Sequence, residues 1–150
     1  MNSNLKYLIS KLEKVKRLNF KVSHPNPSLN IHLNCKLEVS RPDDSSIITE
    51  ELGDWVNNYG QKVNSKNIYM WTAHNNSILK LAHLRFGEKK PIFLVNFYNE
   101  KNNLWKSLKP YICEQDLYHA ELVIAPTNIK LTWNIKTPKH AYSITSTYYS

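Results

Sequence analysis

The chain has 150 residues, the size of one ordinary domain, and 41% of them are hydrophobic and 11% aromatic, which is enough to bury a core and excludes a disordered chain. It carries 20 Lys and Arg against 12 Asp and Glu, a net charge of +8. A basic balance favours nucleic acid, anionic lipid or acidic protein as a partner, and argues against an acidic mimic that inhibits a nuclease.

The N-terminal segment, 3–17, predicts an amphipathic helix with Ser3 as its N-cap. Its apolar residues recur at helical spacing and are Leu5, Leu8, Ile9, Leu12 and Val15. The segment lacks the continuous apolar stretch of a signal peptide, and the longest apolar run, 92–95, is too short to cross a membrane. We therefore expect a soluble, cytoplasmic protein with no membrane partner, in which Cys35 and Cys113 are reduced.

Alternation of apolar and polar residues is the strongest local signal, and it is clearest over 29–40. A period of two predicts a strand with one buried and one wet face. Cys35 falls on the apolar face, where a small core residue fits better than a nucleophile. The other predicted strands are 18–23, 67–74, 78–86, 92–98, 117–125, 128–136 and 140–148.

Two further helices are predicted between these strands. The first begins near Ser46 and ends at Gly60, with Glu50, Glu51 and Asp54 in its first half, where the helix dipole favours anions. Its apolar residues at helical spacing are Ile48, Leu52, Trp55, Val56 and Tyr59. A short helix is predicted over 103–109, ended by Pro110.

Short turns between successive strands favour antiparallel pairing. The fold class we expect is α+β, in one domain spanning 1–150. It would be a mainly antiparallel sheet of about eight strands, either open or closed part-way into a half-barrel, with two to three covering helices.

Most recognisable enzyme motifs are missing from the sequence. With three glycines there is no phosphate-cradling loop, and there is no HExxH, GxSxG or CxxC. The six histidines show no metal-ligand spacing. We therefore expect no metal and no cofactor.

One catalytic hypothesis concerns the C-terminal strands. Small metal-independent ribonucleases place His, Lys and Tyr on adjacent strands, where His is the general acid or base and Lys stabilises the developing phosphorane charge. The candidates here are His119, His140, Lys139 and Tyr142, with Lys136, Thr145 and Glu121 nearby in sequence.

The polar face of 128–136 offers a possible binding strip. It carries Lys130 and Lys136 with Thr132 and Asn134 between them, and Lys139 follows. Trp133 alternates with these residues and should point inward, so it is not a stacking platform for bases.

Three functions remain open from the sequence. The first is a non-enzymatic interaction protein, of inhibitor, immunity or adaptor type, that binds another macromolecule, with a protein as the expected partner, through this strip. The second is a nucleic-acid-binding module, and the third is a small ribonuclease-like enzyme that uses His140 and His119 with Lys139.

Overall fold

A computed structural model describes residues 1–56 and 59–150 and shows an antiparallel β-barrel with one α-helix among these residues. The elements are α1 (Ser3–Glu13), β1 (Arg17–Ser23), β2 (Ile31–Asp43), β3 (Ser46–Val56), β4 (Lys62–His74), β5 (Ile78–His83), β6 (Ile92–Lys101), β7 (Leu104–Ser107), β8 (Tyr111–Cys113), β9 (Asp116–Ile124), β10 (Asn128–Lys136) and β11 (Ala141–Tyr149). A 3₁₀ turn, Pro27–Leu29, lies between β1 and β2.

The sheet closes on itself. Its strand order is β10-β11-β1-β2-β3-β4-β5-β6-β7-β9, and β9 pairs in turn with β10, which completes a ring of ten strands. β8 pairs with β9 only, beyond the segment of β9 that pairs with β7. Closure removes the exposed edges that an open sheet of this size would leave.

Register places alternate residues of every strand inside the barrel. One interior layer runs from Leu131 to Ser146, then to Phe20 and Leu33, each directly opposite the next on neighbouring strands. The alternation predicted over 29–40 is therefore the inward and outward alternation of a barrel wall. Cys35 is buried on the inward face of β2, as its position in that pattern predicts.

The helix α1 covers one end of the barrel, which we call the closed end. Its buried residues form the apolar face of the helix and are Leu5, Leu8, Ile9 and Leu12. Its outer side contacts the turns at this end: the Met1 amino group donates to Asn76 Oδ1 at 2.8 Å, Lys11 Nζ donates to the Pro126 carbonyl, and Glu13 pairs with Arg41 at 3.2 Å. The N-cap is Asn2, whose side chain accepts from the Leu5 amide, rather than the predicted Ser3. The helix ends at Glu13 instead of continuing to residue 17, because β1 begins at Arg17.

The predicted helix from Ser46 is wrong, because the segment forms β3. Its backbone pairs with β2 on one side and β4 on the other. The β-branched run Ile47-Ile48-Thr49 disfavours a helix and suits a strand. Ile48 and Leu52 are four apart, which also places them on one face of a strand, so their spacing did not distinguish the two structures. Residues 57 and 58 of this prediction lie outside the described residues.

The predicted helix over 103–109 is also wrong. Leu104–Ser107 forms β7, and β8, which follows Pro110, was not predicted. The α+β class with two to three covering helices is therefore corrected to a closed β-barrel with a single short helix in the described chain. In the same residues no helix has the length and apolar character needed to cross a membrane.

Candidate functional site

The half of the barrel away from α1, which we call the open half, contains a cavity of about 350 Å³. Its lining combines inward-facing residues of the strands with residues at the mouth: Phe20, Glu51, Asn67, Tyr69, His83, Arg85, Leu94, Tyr111, Cys113, Tyr118, Leu131, Trp133, Ile144, Ser146 and Tyr148. A second space of about 200 Å³ shares Phe20, Glu51 and Asn67 with it and extends along β1 and β2. The two spaces therefore meet at the same group of residues.

Glu51 is the one carboxyl among the residues lining these two spaces. It lies on the inward face of β3, opposite Leu37 of β2 and Asn67 of β4, and is 6% exposed. The Tyr148 hydroxyl donates to its Oε1 at 3.1 Å, and Asn67 Nδ2 lies 3.4 Å from its Oε2. Burial raises the pKa of Glu51 to about 7, although the two hydrogen bonds act in the opposite direction. The carboxyl thus changes charge near neutral pH.

Aromatic rings form much of the cavity wall. Tyr111 meets Tyr118 edge to face with centroids 5.8 Å apart, and Tyr118 meets Trp133 in the same way at 6.3 Å. Tyr148 stands deeper and is fully buried, and burial together with the neighbouring Glu51 raises the pKa of its hydroxyl well above the usual value. Burial also raises the pKa of the Tyr118 hydroxyl, so Tyr118 and Tyr148 are neutral at physiological pH.

The mouth of the cavity carries the basic groups. His83, at the end of β5, is half-buried and packs edge to face on Tyr69 at 5.0 Å. Its Nδ1 accepts from the Arg85 amide at 2.9 Å. Burial and then the Arg85 charge lower the pKa of His83, so the imidazole is neutral at pH 7. Arg85 itself is exposed.

Exposed apolar side chains gather at the loops around this mouth. Leu29 precedes β2, Tyr59 follows β3, Phe86 lies between β5 and β6, and Leu108 and Ile112 flank Pro110. Each of these segments lies at the end of the barrel opposite α1. Apolar residues around an opening are typical of a place where another molecule makes contact.

The strip predicted on β10 lies on the outer wall, away from the cavity. Lys130, Asn134 and Lys136 are exposed and Thr132 is half-buried. Lys130 and Lys136 are at opposite ends of the strand, about 20 Å apart at the rise of an extended chain. Trp133 faces inward and lines the cavity, as its alternation predicts.

Two of the four predicted catalytic candidates, His119 and Tyr142, line a shallow hollow on the rim of the barrel, and His140 and Lys139 do not. His119, Lys136 and Tyr142 line it together with His24, and it is more open to solvent than the interior cavity. The His24 ring lies 4.9 Å from the Tyr142 ring and 5.1 Å from the His140 ring. Lys139 lies in the adjacent turn, where its amide donates to Thr137 Oγ1.

Sequence reasoning missed the residues of the cavity. Glu51 was assigned to a helix dipole, and Tyr69, His83 and Arg85 were not singled out. The signal that could have found them is the barrel register, which places Glu51 and Tyr69 on the inward faces of β3 and β4. In the described part of the chain, no cluster of three or more His, Cys, Asp or Glu could hold a metal ion.

Comparison with known proteins gives a family and three distant structures. The model of the family of unknown function DUF6314 matches residues 16–150. No curated protein matches the chain.

The structures are similar at low identity. One is a redesigned β-barrel, with a TM-score of 0.43 and 8% identity over 91% of this chain and 90% of the other. A second is the redesigned β-barrel mFAP1 bound to DFHBI, with a TM-score of 0.40 and 10% identity over 93% of this chain and 97% of the other. A third is EF1p2_mFAP2b bound to DFHBI, with a TM-score of 0.41 and 9% identity over 90% of this chain and 91% of the other.

Proposed function

The chain belongs to the family of unknown function DUF6314, and from its geometry we propose that it is a binding protein for a small, largely apolar molecule held inside the barrel. The observation that carries this proposal is the interior cavity of about 350 Å³. Ligand sites are concave, of roughly 300–1,000 Å³, apolar over most of their wall, and provided with a few polar groups that fix orientation. Phe20, Leu131 and Trp133 supply the apolar wall, and Glu51 and Ser146 supply polar groups.

The construction of the barrel supports this function. Every strand of the ring of ten is hydrogen-bonded to a neighbour on both sides, so the wall can hold a cavity open without a ligand. The helix α1 covers the other end of the barrel with its buried apolar face. The exposed apolar rim of Leu29, Phe86 and Ile112 lies where a ligand would enter.

A matched pair of variants tests the proposal. Ile144→Trp places a large ring in the cavity, whereas Thr145→Trp, the next residue of β11, places the same ring on the outer wall. N-phenyl-1-naphthylamine, an uncharged dye whose fluorescence depends on its surroundings, should bind the natural chain and Thr145→Trp alike. Its affinity for Ile144→Trp should fall at least about tenfold, the equivalent of 1.4 kcal/mol.

Circular dichroism serves as the control that both variants retain the strand content of the natural chain. Equal dye affinity in Ile144→Trp and Thr145→Trp would show that the dye binds outside the barrel. Failure of the natural chain to bind any apolar probe would remove the proposal.

A second candidate function is the interaction role predicted from the sequence. The observation in its favour is that Lys130 and Lys136 are exposed on the outer wall and Lys139 in the adjacent turn. Replacing all three with Glu should abolish binding of a macromolecular partner while the fold persists. Affinity that falls steeply with salt would identify nucleic acid as that partner, because phosphate contacts release counterions.

The ribonuclease hypothesis also stays a prediction. His119 and Tyr142 line one hollow with His24, while His140 lies against the His24 ring. His119→Ala and His140→Ala should each abolish RNA cleavage with little loss of stability. A natural chain that cleaves no RNA would end this hypothesis.

A further inference from the structure

We propose that the ligand of the interior cavity is an organic cation, an ammonium group on an aromatic or aliphatic body, and that Glu51 is its counterion. This inference rests on the proposed function and names the ligand class of the same cavity. Its observations are a buried carboxyl with no ion-pair partner among the described residues, and aromatic rings that line the same cavity.

Arg85 lines the cavity together with Glu51, but the two form no ion pair in the described chain. The ion pairs found among the described residues join Arg41 to Glu13 and Lys66 to Glu50, and neither involves Glu51. No lysine lines either of the two spaces that Glu51 faces. Burying a carboxylate is costly unless it is paired, so a buried acid kept without a partner inside a cavity favours a ligand that supplies one.

The protein donors of Glu51 leave part of its capacity unused. Tyr148 donates to one oxygen and Asn67 approaches the other, at 3.1 and 3.4 Å. An ionised carboxylate can accept about four hydrogen bonds. The two donors fix the orientation of the carboxyl, and an ammonium group with its three N–H bonds can occupy the remaining positions from the cavity side.

The aromatic wall favours the same ligand class. The faces of Trp and Tyr rings attract cations through their quadrupoles, by about 0.5–2 kcal/mol each. Tyr118 and Trp133 stand on β9 and β10, and Phe20 and Tyr148 stand on β1 and β11. A neutral apolar ligand would gain from these rings by burial alone, whereas a cation gains from burial and from the ring quadrupoles.

Other charged and titratable groups around Glu51 do not reverse this preference. Tyr69 and Tyr148 remain protonated because burial raises the pKa of each hydroxyl. The pKa of the Cys35 thiol is raised by burial and by the Glu51 charge, and that of His83 is lowered by burial, so both are neutral. The remaining groups that line the cavity are Arg85, Tyr111, Cys113 and Tyr118. Arg85 is exposed at the mouth, and its charge acts to lower the pKa of His83 and of Tyr69, but it forms no ion pair with Glu51 in the described chain.

Charge pairing makes the binding depend on pH in a defined direction. The cation binds the ionised form of Glu51, whose carboxyl has a pKa of about 7. Affinity for an amine should therefore rise between pH 6 and pH 8, and binding at pH 7 should release protons to the buffer. A neutral ligand should show neither effect.

The experiment compares three probes with one hydrocarbon body: 4-phenylbutylamine, 4-phenylbutanol and 4-phenylbutyrate. Isothermal titration calorimetry at pH 8 gives the affinity of each for the natural chain, for Glu51→Gln and for the control Glu50→Gln. Glu50 lies next to Glu51 on the outer wall of β3 and pairs with Lys66 at 2.9 Å. Glu51→Gln keeps the shape of the side chain and removes its charge.

We expect the amine to bind the natural chain and Glu50→Gln at least about tenfold more tightly than the alcohol, and the acid to bind most weakly. In Glu51→Gln the amine should lose this advantage while the alcohol is unchanged. Titrations at pH 7 in buffers of different ionisation enthalpy should show proton release by the natural chain and none by Glu51→Gln.

Equal binding of amine and alcohol, or preference for the acid, would overturn the cationic ligand. The proposed binding function would then still stand if the dye retains its dependence on Ile144→Trp. Absence of binding by all three probes would overturn the inference as well. An amine preference that persists in Glu51→Gln would show that Glu51 is not the counterion.

Discussion

The closed and open halves of this barrel share one wall but differ in what fills them. In the closed half, Leu5, Leu8 and Leu12 of α1 meet Trp71 and Phe97 of the strands, and all five are fully buried. Trp71 Nε1 donates a buried hydrogen bond to Thr49 Oγ1 at 3.0 Å within this core. In the open half, the strands continue without a helix to fill the space between them.

Alternation of inward and outward residues specifies the wall of the barrel, but it does not specify what fills the interior. Ile47, Thr49 and Glu51 occupy successive inward positions of β3, from the closed half towards the open half. Ile47 packs in the core, and Thr49 accepts a hydrogen bond from Trp71 within that core. Glu51 faces the cavity. The open half therefore keeps a cavity where the closed half has a packed core.

The largest expected effect is on packing beneath the helix. Leu8→Ala removes a side chain with 0% exposure from the closed half and should lower the free energy of unfolding by about 2–5 kcal/mol. Ile144→Ala, in the cavity wall, should cost less than half as much, because one side of Ile144 already faces open space. Urea unfolding at pH 7 measures both, and equal costs would mean that the two halves are packed alike.

The next effect is the pH dependence of stability. The pKa of Glu51 is about 7 in the folded protein against a usual 4.5. Because the folded value is raised, the contribution of Glu51 to stability is full below pH 4.5 and is lost as the pH rises through 7. Between pH 5 and pH 8 the natural chain should lose roughly 2–3 kcal/mol relative to Glu51→Gln. The difference between the two urea series isolates Glu51, and parallel series would show that its pKa is not raised.

The barrel wall could be predicted from sequence where inward residues are apolar. β2 and β10 alternate cleanly, with Leu33 and Cys35 inward on one and Ile129 and Leu131 inward on the other. In β3 the inward positions include Thr49, Glu51 and Gly53, which interrupts the apolar period. The remaining apolar residues of the segment lie at helical spacing, so the sequence pattern predicted a helix.

The same residues explain why the cavity was missed. A polar residue at an inward position weakens the strand signal, and in this barrel such residues line the candidate site. Closure of the ring depends on the pairing of β9 with β10 and of β7 with β9, and β7 has only four residues. Four residues are too few to show a period, so neither the ring nor the convergence of Glu51 with Tyr148, 97 positions away, could be derived.

A smaller effect concerns the hydrogen bond that orients the acid. Tyr148→Phe removes the donor to Glu51 Oε1 and should lower stability by about 1.5 kcal/mol at pH 8, where the carboxyl is charged, and by less at pH 5. Because this bond lowers the pKa of Glu51, the variant should raise that pKa further, as measured by ¹³C NMR of the carboxyl. Tyr149→Phe, one residue on and facing outward, is the control. An unchanged Glu51 pKa would remove the tyrosine from the site.

The smallest expected effect is a difference in chemical reactivity between the two cysteines, which leaves stability unchanged. Cys113 is exposed at the mouth of the open half, whereas Cys35 is buried, and burial and the Glu51 charge raise the pKa of its thiol. Since the thiolate is the reactive form, iodoacetamide should modify Cys113 at least about tenfold faster, as followed by mass spectrometry of peptides. A ligand in the cavity should slow the reaction of Cys113, which lines the mouth, and leave the slow rate of Cys35 as it was. Protection of neither thiol by a bound amine would place that amine outside the cavity of the open half, because Cys113 lines that cavity.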